Sequence, residues 1–481
     1  MSADLRALWR AAGGNVPDHW TFQTIEELLE SQKSISVGVM YPGSNVLGGT
    51  PLIRVSDVKN GAIAKKPDFC ISSEVDQEYR RTKLFGSELL ITLVGNPGDC
   101  VIVTEEMIGW NAARALAVLK LKDPDLRRWL RYVLLSKPAK HLIDARLNTT
   151  VQKTLNLKDI RELGIPIPPK EERYKITNVI DAIENKMLLN TQTNQTLESI
   201  AQAIFKSWFV DFEPVKAKMA VLESGGSGEQ AELAAMSVIS GKSEAELAQL
   251  QQQNPEHYQQ LTETATLFPS AMVESELGEI PEGWEVQNYS NLCKKIESGG
   301  TPKRNEDSYW NGEVSWLSSG EVRDKVVINT KEKITIEGLK NSSAKLWPKN
   351  TTVIAMYGAT AGEACLLAEE MCANQACCGL IPKTEFASFV YLSAIRSSQL
   401  LAEKASGSAQ QNLNKGIIEN HSLIAPPSNL AKQFEWTIQN MILKLIENYR
   451  ENINLAQLRD SLLPKLLSGE IDLTHLQSEV A

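Results

Sequence analysis

Several features are scarce in this chain of 481 residues. It has seven cysteines, and an odd, small number in so long a chain argues against a complete disulfide framework. Its five histidines lie far apart. No uninterrupted apolar stretch reaches the roughly 20 residues that a transmembrane helix needs, and the first residues have no signal-peptide layout. These absences predict a protein of a reducing compartment, and we expect it in the cytoplasm.

An excess of positive charge is also lacking. The formal net charge is −9, which is not the sign of a strongly basic nucleic-acid-binding protein. The acidic excess is local, because residues 1–170 carry 23 Lys and Arg against 19 Asp and Glu, whereas residues 171–278 carry 7 against 16. The charge therefore neither excludes DNA binding nor argues strongly for it, and we expect partner subunits to share any phosphate neutralisation.

The chain does contain an internal repeat with an offset of 258 residues. Two stretches show apolar spacing that alternates four and three, which predicts a long helix with a coiled-coil seam of about five heptads in each. Apolar residues coincide at all but one position, and two Asn layers fall on two Asn layers. The first seam is Ile176, Ile180, Ile183, Met187, Asn190, Asn194, Leu197, Ala201, Ile204 and Trp208. The second is Phe434, Ile438, Met441, Leu445, Asn448, Asn452, Leu455, Arg459, Leu462 and Leu466.

The Asn layers predict how the two helices pair. A helix over residues 171–208 would span about 57 Å, and length alone allows parallel or antiparallel pairing. A buried Asn is tolerated only against another polar group, so it sets the register. Asn190 and Asn194 lie near the middle of their seam, as do Asn448 and Asn452. In an antiparallel coiled coil the middles coincide and Asn meets Asn, which we expect here; the alternative is a plain hydrophobic core with exposed Asn.

A globular segment precedes each long helix. In the first segment three runs are strand-like and one is helical, and Ile165–Pro169 ends the segment because consecutive prolines stop regular structure. The predicted strands are Thr50–Val58, Leu89–Val94 and Cys100–Val103, and the predicted helix is Leu126–Leu142.

The second globular segment repeats this plan. Trp284 corresponds to Trp20, Val314–Val322 to Leu52–Val58, Val353–Tyr357 to Ile91–Val94, Asn374 to Asn111, and Leu413-Asn414 to Leu155-Asn156. The chain is therefore predicted to be a mixed α/β (α+β) protein with two duplicated domains. Between the two copies, Gly225–Gly228 is predicted to be a flexible break and Ser243–Gln260 to be helical.

The sequence shows no recognisable catalytic or metal site. Gly241-Lys242-Ser243 resembles the end of a phosphate-binding loop, but Met236 stands where that loop needs Gly. No Asn/Asp-Pro-Pro-aromatic motif of an amino-methyltransferase appears, and no glycine-rich methyl-donor loop follows a strand. The clustered cysteines lack the Cys-x-x-Cys pair of a zinc site and are interpreted as buried thiols: Cys365, Cys372, Cys377 and Cys378.

With these residues in view, the chain resembles the specificity subunit of type I restriction-modification enzymes over nearly its whole length. The signals are the duplication, the proline-rich entry into each long helix and a few short motifs, which are degenerate singly but specific in their joint order. They are Ala203–Pro214, Gly300–Pro302, Tyr309–Gly312, Pro426-Pro427 and Leu458–Ile471. The first copy departs from the second, since it lacks the Gly-Thr-Pro and Tyr-Trp elements and has Tyr41-Pro42-Gly43 instead.

The resemblance implies a non-catalytic DNA-recognition subunit. Each target-recognition domain would read one half of a bipartite sequence in double-stranded DNA, and the unlike copies would read unlike half-sites. The helices would set the spacing and dock two methyltransferase subunits and restriction/translocase subunits. This chain would bind no cofactor or metal, and S-adenosylmethionine, ATP and Mg²⁺ would sit on its partners. No membrane partner is expected. Two alternatives stay open: a coiled-coil scaffold whose globular domains bind protein, and an enzyme with an unrecognised site.

The resemblance also implies a division of the chain. Its parts are residues 1–169, the first target-recognition domain; 170–213, the first long spacer helix; 214–279, a linker with distal helices; 280–427, the second target-recognition domain; 428–470, the second long spacer helix; and 471–481, a tail.

The candidate DNA contacts are side chains of predicted loops whose chemistry suits DNA. Arg or Lys pairs with guanine and Asn or Gln with adenine, while Lys, Arg and hydroxyls reach phosphates; for any single Lys or Arg the alternative is a solvated surface charge. In the first domain the candidates are Ser56, Asp57, Lys59, Arg80, Arg81, Lys83, Asn96, Arg114 and Lys153. In the second they are Thr301, Lys303, Arg304, Ser318, Ser319, Arg323, Lys325, Tyr357, Asn374 and Gln375.

Overall fold

The computed structural model of the chain describes residues 4–59, 61–63, 65–147, 153–406, 413–471 and 473; of residues 59, 405 and 406 only the backbone is described. The chain divides into two compact units, one formed by Met1–Met187 with Asn454–Ala481 and the other by Leu188–Ile453. None of the helices in the described part of the chain is both long and apolar enough to span a bilayer.

The first unit is built around small, mostly antiparallel sheets. Its four-stranded sheet has the order β2-β10-β7-β8 and a three-stranded sheet has the order β6-β3-β9, in which β3 and β9 are parallel. Two strand pairs, β1-β11 and β4-β5, complete it. The strands are β1 Thr21–Thr24, β2 Ile35–Val37, β3 Thr50–Ile53, β4 Val58–Lys59, β5 Ala62–Ile63, β6 Cys70–Ile71, β7 Glu88–Thr92, β8 Cys100–Ile102, β9 Asn111–Ala112, β10 Leu116–Lys120 and β11 Gly164–Ile167.

Helices cover these sheets and the long helix follows them. Trp20 and Trp129 pack edge to face at the centre of the core, with ring centroids 5.4 Å apart. The helices are α1 Leu5–Ala11, α2 Ile25–Leu28, α3 Ser73–Glu78, α4 Leu126–Leu135, α5 Lys137–Asp144, α6 Leu157–Arg161 and α7 Lys170–Phe209.

The predicted helix Leu126–Leu142 is wrong as a single element, because the structure has two helices there. Ser136 is extended (φ −69°, ψ 152°), and its side chain accepts a hydrogen bond from the backbone N–H of Ala139 as the N-cap of α5. Pro138 lies in the first turn of α5, where its missing N–H does no harm, whereas inside one continuous helix it would break the hydrogen-bond ladder.

The second unit contains the same kinds of sheet. The largest has the order β15-β22-β19-β20-β17, and a three-stranded sheet has the order β18-β16-β21 with β16 and β21 parallel. Two antiparallel pairs are β12-β13 and β14-β23. The strands are β12 Met272–Ser275, β13 Gly278–Pro281, β14 Glu285–Asn288, β15 Cys293–Ser298, β16 Trp310–Leu317, β17 Val326–Val327, β18 Glu332–Ile334, β19 Thr352–Ala355, β20 Ala364–Leu367, β21 Cys372–Ala373, β22 Cys377–Pro382 and β23 Ser422–Ala425.

The four helices within residues 213–266 form a small bundle, and in the sequence they lie between the two duplicated segments. Its core contains Ala235, Met236, Leu247, Leu261 and Ala265. The helices of this unit are α8 Glu213–Glu223, α9 Gly228–Ser240, α10 Glu244–Gln253, α11 Pro255–Thr266, α12 Tyr289–Leu292, α13 Ile336–Lys340, α14 Ala387–Ser406, α15 Lys415–Glu419 and α16 Ser428–Leu467.

The flexible break predicted at Gly225–Gly228 is instead an ordered helix–helix turn. Gly225 has a positive φ of 85° and follows the end of α8. Ser227 caps α9 through a capping box with Gln230, which satisfies free N–H groups of the first turn. The glycines therefore serve helix termination here. In the same way Gly241 and Ser243, which resembled a phosphate loop, are the C-cap of α9 and the N-cap of α10.

The sheet topology confirms the duplication. The order β2-β10-β7-β8 recurs as β15-β22-β19-β20, the parallel pair β3-β9 recurs as β16-β21, and β1-β11 recurs as β14-β23. The two long helices follow the offset of 258 at both ends, since α7 and α16 each have 40 residues. The predicted mixed α/β fold of two copies, each leading into a long helix, is confirmed.

The two long helices run antiparallel, as the Asn layers predicted. In the second unit the Asn190 amide donates to Asn452 at 3.0 Å, and the Asn448 amide donates to Asn194 at 2.9 Å. Because the earlier Asn of one helix meets the later Asn of the other, the directions are opposite. Asn190, Asn194 and Asn448 are buried, so these amides are satisfied inside the seam.

The one mismatch in the repeated seam, Arg459, has a partner in the first unit. Its guanidinium lies 3.8 Å from the carboxylate of Glu184 on α7. The same carboxylate accepts a hydrogen bond of 2.6 Å from the buried Arg131 of α4, and Tyr132 of α4 donates to Asp181 of α7 at 2.5 Å. Polar contacts thus join the domain to its long helix, and they explain a charged residue at a seam position.

Exchange of Asn194 for Leu is expected to lower the free energy of unfolding by about 1–3 kcal/mol, because the buried Asn448 loses its amide partner. Exchange of both Asn194 and Asn448 for Leu is expected to recover most of that loss, since neither amide of the pair then remains without its partner. Urea unfolding of both single variants and the double variant measures the coupling. Purely additive effects would show that the two amides do not act as a pair.

Candidate nucleic-acid interface

The polar loops of interest follow a pair of parallel strands in each unit. In the first unit β3 ends at Ile53, which pairs with Ala112 at the end of β9. In the second unit β16 ends at Leu317, which pairs with Ala373 at the end of β21. Because paired parallel strands end at the same edge of a sheet, the loops that follow them leave from one edge. This edge is the natural place for side chains to converge.

Most candidates of the first unit are on the surface. Asp57 and Lys83 are half-buried, and the side chain of Lys59 lies outside the described part of the chain. The exposed candidates are Ser56, Arg80, Arg81, Asn96, Arg114 and Lys153.

Asp57 and Lys83 are engaged within the fold. The Asp57 carboxylate accepts a hydrogen bond of 2.8 Å from the backbone N–H of Arg54 and so closes a short turn. Lys83 forms an ion pair with the buried Asp76, whose other oxygen accepts from Asn111 at 3.1 Å. In the structure both side chains stabilise the loops that carry them.

Candidates of the second unit are also mainly on the surface. Thr301, Ser318, Ser319 and Asn374 are half-buried. The exposed ones are Lys303, Arg304, Arg323, Lys325, Tyr357 and Gln375.

Arg304 is held by its own domain. Its guanidinium forms a two-pronged ion pair with Glu332 and lies over the rings of Trp310 and Trp316, 3.9 and 4.7 Å from their centroids. Hydrogen bonding to Glu332 raises the pKa of Arg304, and the same contact lowers the pKa of Glu332. A guanidinium with a carboxylate on one edge and indoles against it has few donors left for a base.

Other cations of the second unit have partners as well. Lys325 pairs with Glu198 of α7 at 2.5 Å, and Arg323 lies 3.4 Å from Glu363. The Ser318 hydroxyl donates to Glu321 at 2.7 Å and caps a short 3-10 helix. Of the predicted cations in this unit, Lys303 is exposed and has no ion pair within the described residues.

The predicted match of Asn374 with Asn111 is wrong by two residues. Asn374 donates its backbone N–H to Leu317, and the residue that donates to the equivalent Ile53 is Ala113. Asn111 is therefore the counterpart of Cys372, which occupies the same place in the parallel pair. A loop of variable length upstream shifted the offset, and polarity alone did not reveal the shift.

Two glycines that were not among the candidates fix the loop edge. A Cβ at Gly38 would lie 2.1 Å from the carbonyl oxygen of Ala112, and one at Gly299 would lie 2.2 Å from that of Asn374. Both positions therefore require glycine for the same reason, a close backbone approach. Alignment of Gly38 with Gly299 in the sequence would have revealed this shared requirement for glycine. The same alignment makes the exposed Tyr41 the counterpart of Pro302.

The clustered cysteines are neutral thiols. Cys365, Cys372, Cys377 and Cys378 are buried, and burial raises the pKa of each; that of Cys378 rises to about 12. Thiolates are the form that binds metal, so this environment opposes it. Within the described residues no group of three or more His, Cys, Asp or Glu side chains is arranged to hold a metal ion.

Two copies of one mixed α/β domain, each leading into one of two antiparallel helices, define a duplicated α/β protein. Comparison with known proteins specifies the class. The family model described as type I restriction modification DNA specificity domain matches residues 17–199 and again residues 281–461. The chain belongs to this family, and it contains the family's domain twice.

Individual relatives agree with this. The chain is 37% identical over 342 residues to the type I restriction enzyme HindI specificity subunit of Haemophilus influenzae, covering 69% of this chain and 74% of that protein. It is 25% identical over 377 residues to the MjaIX specificity subunit of Methanocaldococcus jannaschii, covering 74% and 71%. The crystal structure of a type I S subunit from M. genitalium aligns with a TM-score of 0.53 at 14% identity, over 93% of this chain and 96% of that one, and shows a shared fold.

Proposed function

We propose that this chain is the DNA sequence-recognition subunit of a type I restriction-modification complex, and that each domain reads one half of a bipartite target. Membership of the specificity family supports the role, and the duplication supports the two-part target. The chain is the specificity component and catalyses no step itself. Methylation and cleavage would be carried out by other subunits.

The observation that carries the proposal is that the two domains share one backbone arrangement but have unlike side chains at the edge where the parallel strands end. Backbone hydrogen bonds after the parallel strands coincide in the two units, as in Ala113 to Ile53 and Asn374 to Leu317. The side chains that follow differ, with Arg114 in one unit and Gln375 in the other. A common frame with exchanged base-reading groups is what two different half-sites require.

The helices support a fixed spacing between the half-sites. Each long helix contributes residues to both compact units, and buried Asn pairs select one register of the seam. A coiled coil with one register cannot slide, because each slip would bury an amide against an apolar side chain. DNA half-sites present matching faces only at set separations, so a fixed register would favour one spacer length.

The proposed partners are two methyltransferase subunits and restriction/translocase subunits, docked on the helices. S-adenosylmethionine, ATP and Mg²⁺ would be bound by those partners. Exposed apolar side chains on α7 and α16 support a docking role: Leu188, Leu189, Ile200, Trp436, Leu443 and Leu458 are between 40% and 56% exposed. Such residues on long helices are suited to bury against other helices.

The test is modified-base sequencing of DNA from cells that express this chain with the methyltransferase subunit of the same system. The expected result is adenine methylation in a motif of two unlike halves around a fixed gap. Cells with the methyltransferase alone should lack the motif. Absence of any motif, with the two subunits purified as a stable complex, would contradict the proposal and favour a scaffold whose domains bind protein.

A further inference from the structure

Arg114 and Gln375 occupy one and the same position in the two domains. The residue before each donates its N–H to the end of the parallel partner strand: Ala113 to Ile53 at 2.8 Å, and Asn374 to Leu317 at 2.9 Å. The carbonyl oxygen of the residue after each accepts a hydrogen bond from the residue that directly follows a neighbouring strand, β7 or β19. Leu93 donates to Ala115 at 2.8 Å and Met356 donates to Ala376 at 2.7 Å. The backbone therefore holds these two side chains in equivalent places.

The position is fixed by a close backbone contact in both domains. Gly38 and Gly299 pack so tightly on this segment that neither tolerates a Cβ. The next residues, Val39 and Gly300, donate their N–H groups to Ala112 and Ala373 at 2.7 and 2.9 Å. A backbone held this firmly is already ordered before binding, which suits a reader of a base edge.

The two side chains have different freedom. Arg114 is exposed, and its guanidinium has no hydrogen bond or ion pair among the described residues. Gln375 is exposed as well, but its Oε1 accepts a hydrogen bond from the Thr301 hydroxyl. Counting from the equivalent glycines, Thr301 takes the place of Met40, which has no hydroxyl to offer. The second domain therefore orients its amide, and the first leaves its guanidinium open.

The donor and acceptor inventory then assigns a base to each. An unpaired guanidinium presents parallel N–H groups that match O6 and N7 of guanine. A Gln amide donates from Nε2 to N7 of adenine and accepts from N6–H₂ at Oε1. Thr301 uses one lone pair of Oε1, so the second lone pair and both Nε2 hydrogens of Gln375 stay available.

We propose that Arg114 and Gln375 are equivalent base-reading residues, Arg114 for a guanine in one half-site and Gln375 for an adenine in the other, and that Thr301 positions Gln375. This inference rests on the proposed function. The surroundings favour a base over a phosphate for Arg114, since the segment beside it carries the exposed Met40 and Tyr41, 42% and 77% exposed. Apolar and aromatic side chains suit base edges and faces more than phosphate oxygens.

Other residues of the first domain are better placed for phosphates. The turn that carries Arg80 and Arg81 is tied to Asn111, which accepts from the Thr82 hydroxyl at 2.7 Å. Asn111 lies three residues before Arg114 in the sequence, so this hydrogen bond links the turn with two exposed cations to the strand that leads to the proposed base reader. Backbone contacts of this kind position the DNA and carry no sequence information.

The experiment uses the complex of this chain with its methyltransferase subunit and reads the motif by modified-base sequencing. The variants are Arg114→Gln, Arg114→Lys, Gln375→Arg, Thr301→Val and Thr301→Ser. Arg114→Gln is expected to lower the preference for one guanine in one half-site by about ten- to a hundredfold, with the other half and the gap unchanged. Gln375→Arg should do the same at one adenine of the opposite half-site. Thr301→Val should weaken discrimination at that adenine without creating a new preference, and Thr301→Ser should restore it.

The outcomes separate the possibilities. Uniformly weaker methylation with an unchanged motif, together with normal activity of Arg114→Lys, would mean a phosphate contact and would overturn the inference. An unchanged motif at full methylation in Arg114→Gln and Gln375→Arg would overturn it too. In both cases the wild-type complex still yields a bipartite motif, so the proposed function stands. If the wild-type complex yields none, the proposed function fails and this inference falls with it. Thermal melting and co-purification of each variant test whether the complex stays folded.

Discussion

Insertion of one heptad into both long helices, after Met187 and after Ile453, is expected to widen the gap between the half-sites and leave both half-sites unchanged. Seven residues add about 10 Å of helix, which corresponds to up to about three base pairs; the tilt of the helices to the DNA sets how much of that length is realised. A whole heptad keeps apolar positions in the seam, so pairing survives. Modified-base sequencing of the complex measures the new gap.

Insertion into α7 alone is the matched control. Both Asn pairs lie on the second unit's side of that insertion and keep their register. The part of α7 in the first unit would instead be seven residues out of register with α16, and Glu184 would lose its contact with Arg459. We expect that variant to lose the pairing of its helices in the first unit and, with it, its methylation. If the double insertion changed a base within either half-site, or left the gap as it was, the helices would not act as the spacer.

Exchange of Phe434 for Ala is expected to lower the free energy of unfolding of the second unit by about 3–5 kcal/mol. Phe434 on α16 is fully buried, and its ring lies 4.8 Å from that of Phe209, 5.7 Å from Trp208 and 6.1 Å from Phe205 on α7. Truncation leaves a cavity among rings that are held by both helices and cannot close in on it. Chemical denaturation with tryptophan fluorescence measures the loss.

Trp436 on the same helix provides the control. Its side chain is 56% exposed, so Trp436→Ala should change the free energy of unfolding by less than about 0.5 kcal/mol. The same variant is expected to weaken co-purification with the methyltransferase if the exposed face of α16 is a docking surface. Equal losses of stability for the two variants would show that the aromatic cluster is not what joins the helices in this unit.

The sequence was sufficient for the largest features of the fold. Heptad spacing and proline-rich entries predicted two long helices, and the structure has them at Lys170–Phe209 and Ser428–Leu467. The Asn layers predicted antiparallel pairing, because burial of an amide in a seam permits few partners. These are effects of short-range periodicity and of a costly buried group, both of which can be read along the chain.

The sequence failed where the deciding partner is distant. Arg304 looked like a free cation, but Glu332 and two indoles occupy it. Lys325 looked similar, and Glu198 of α7, 127 residues away, neutralises it. The glycines of residues 225–228 looked flexible, but the capping box of Ser227 and Gln230 orders the turn. The identity of a residue gives the chemistry of its side chain, but it does not show which group of the folded protein that side chain already binds.

The sequence by itself determined the duplication, the two long helices, their direction and the family, because each depends on a pattern repeated over many residues. Only the tertiary structure decided which polar side chains remain available. The register of β3 with β9 and of β16 with β21 moved the equivalence from Asn111 to Ala113, and it thereby brought Arg114 and Gln375 to one position. Hydrogen bonds between strands far apart in the chain set that register, and no local pattern encodes them.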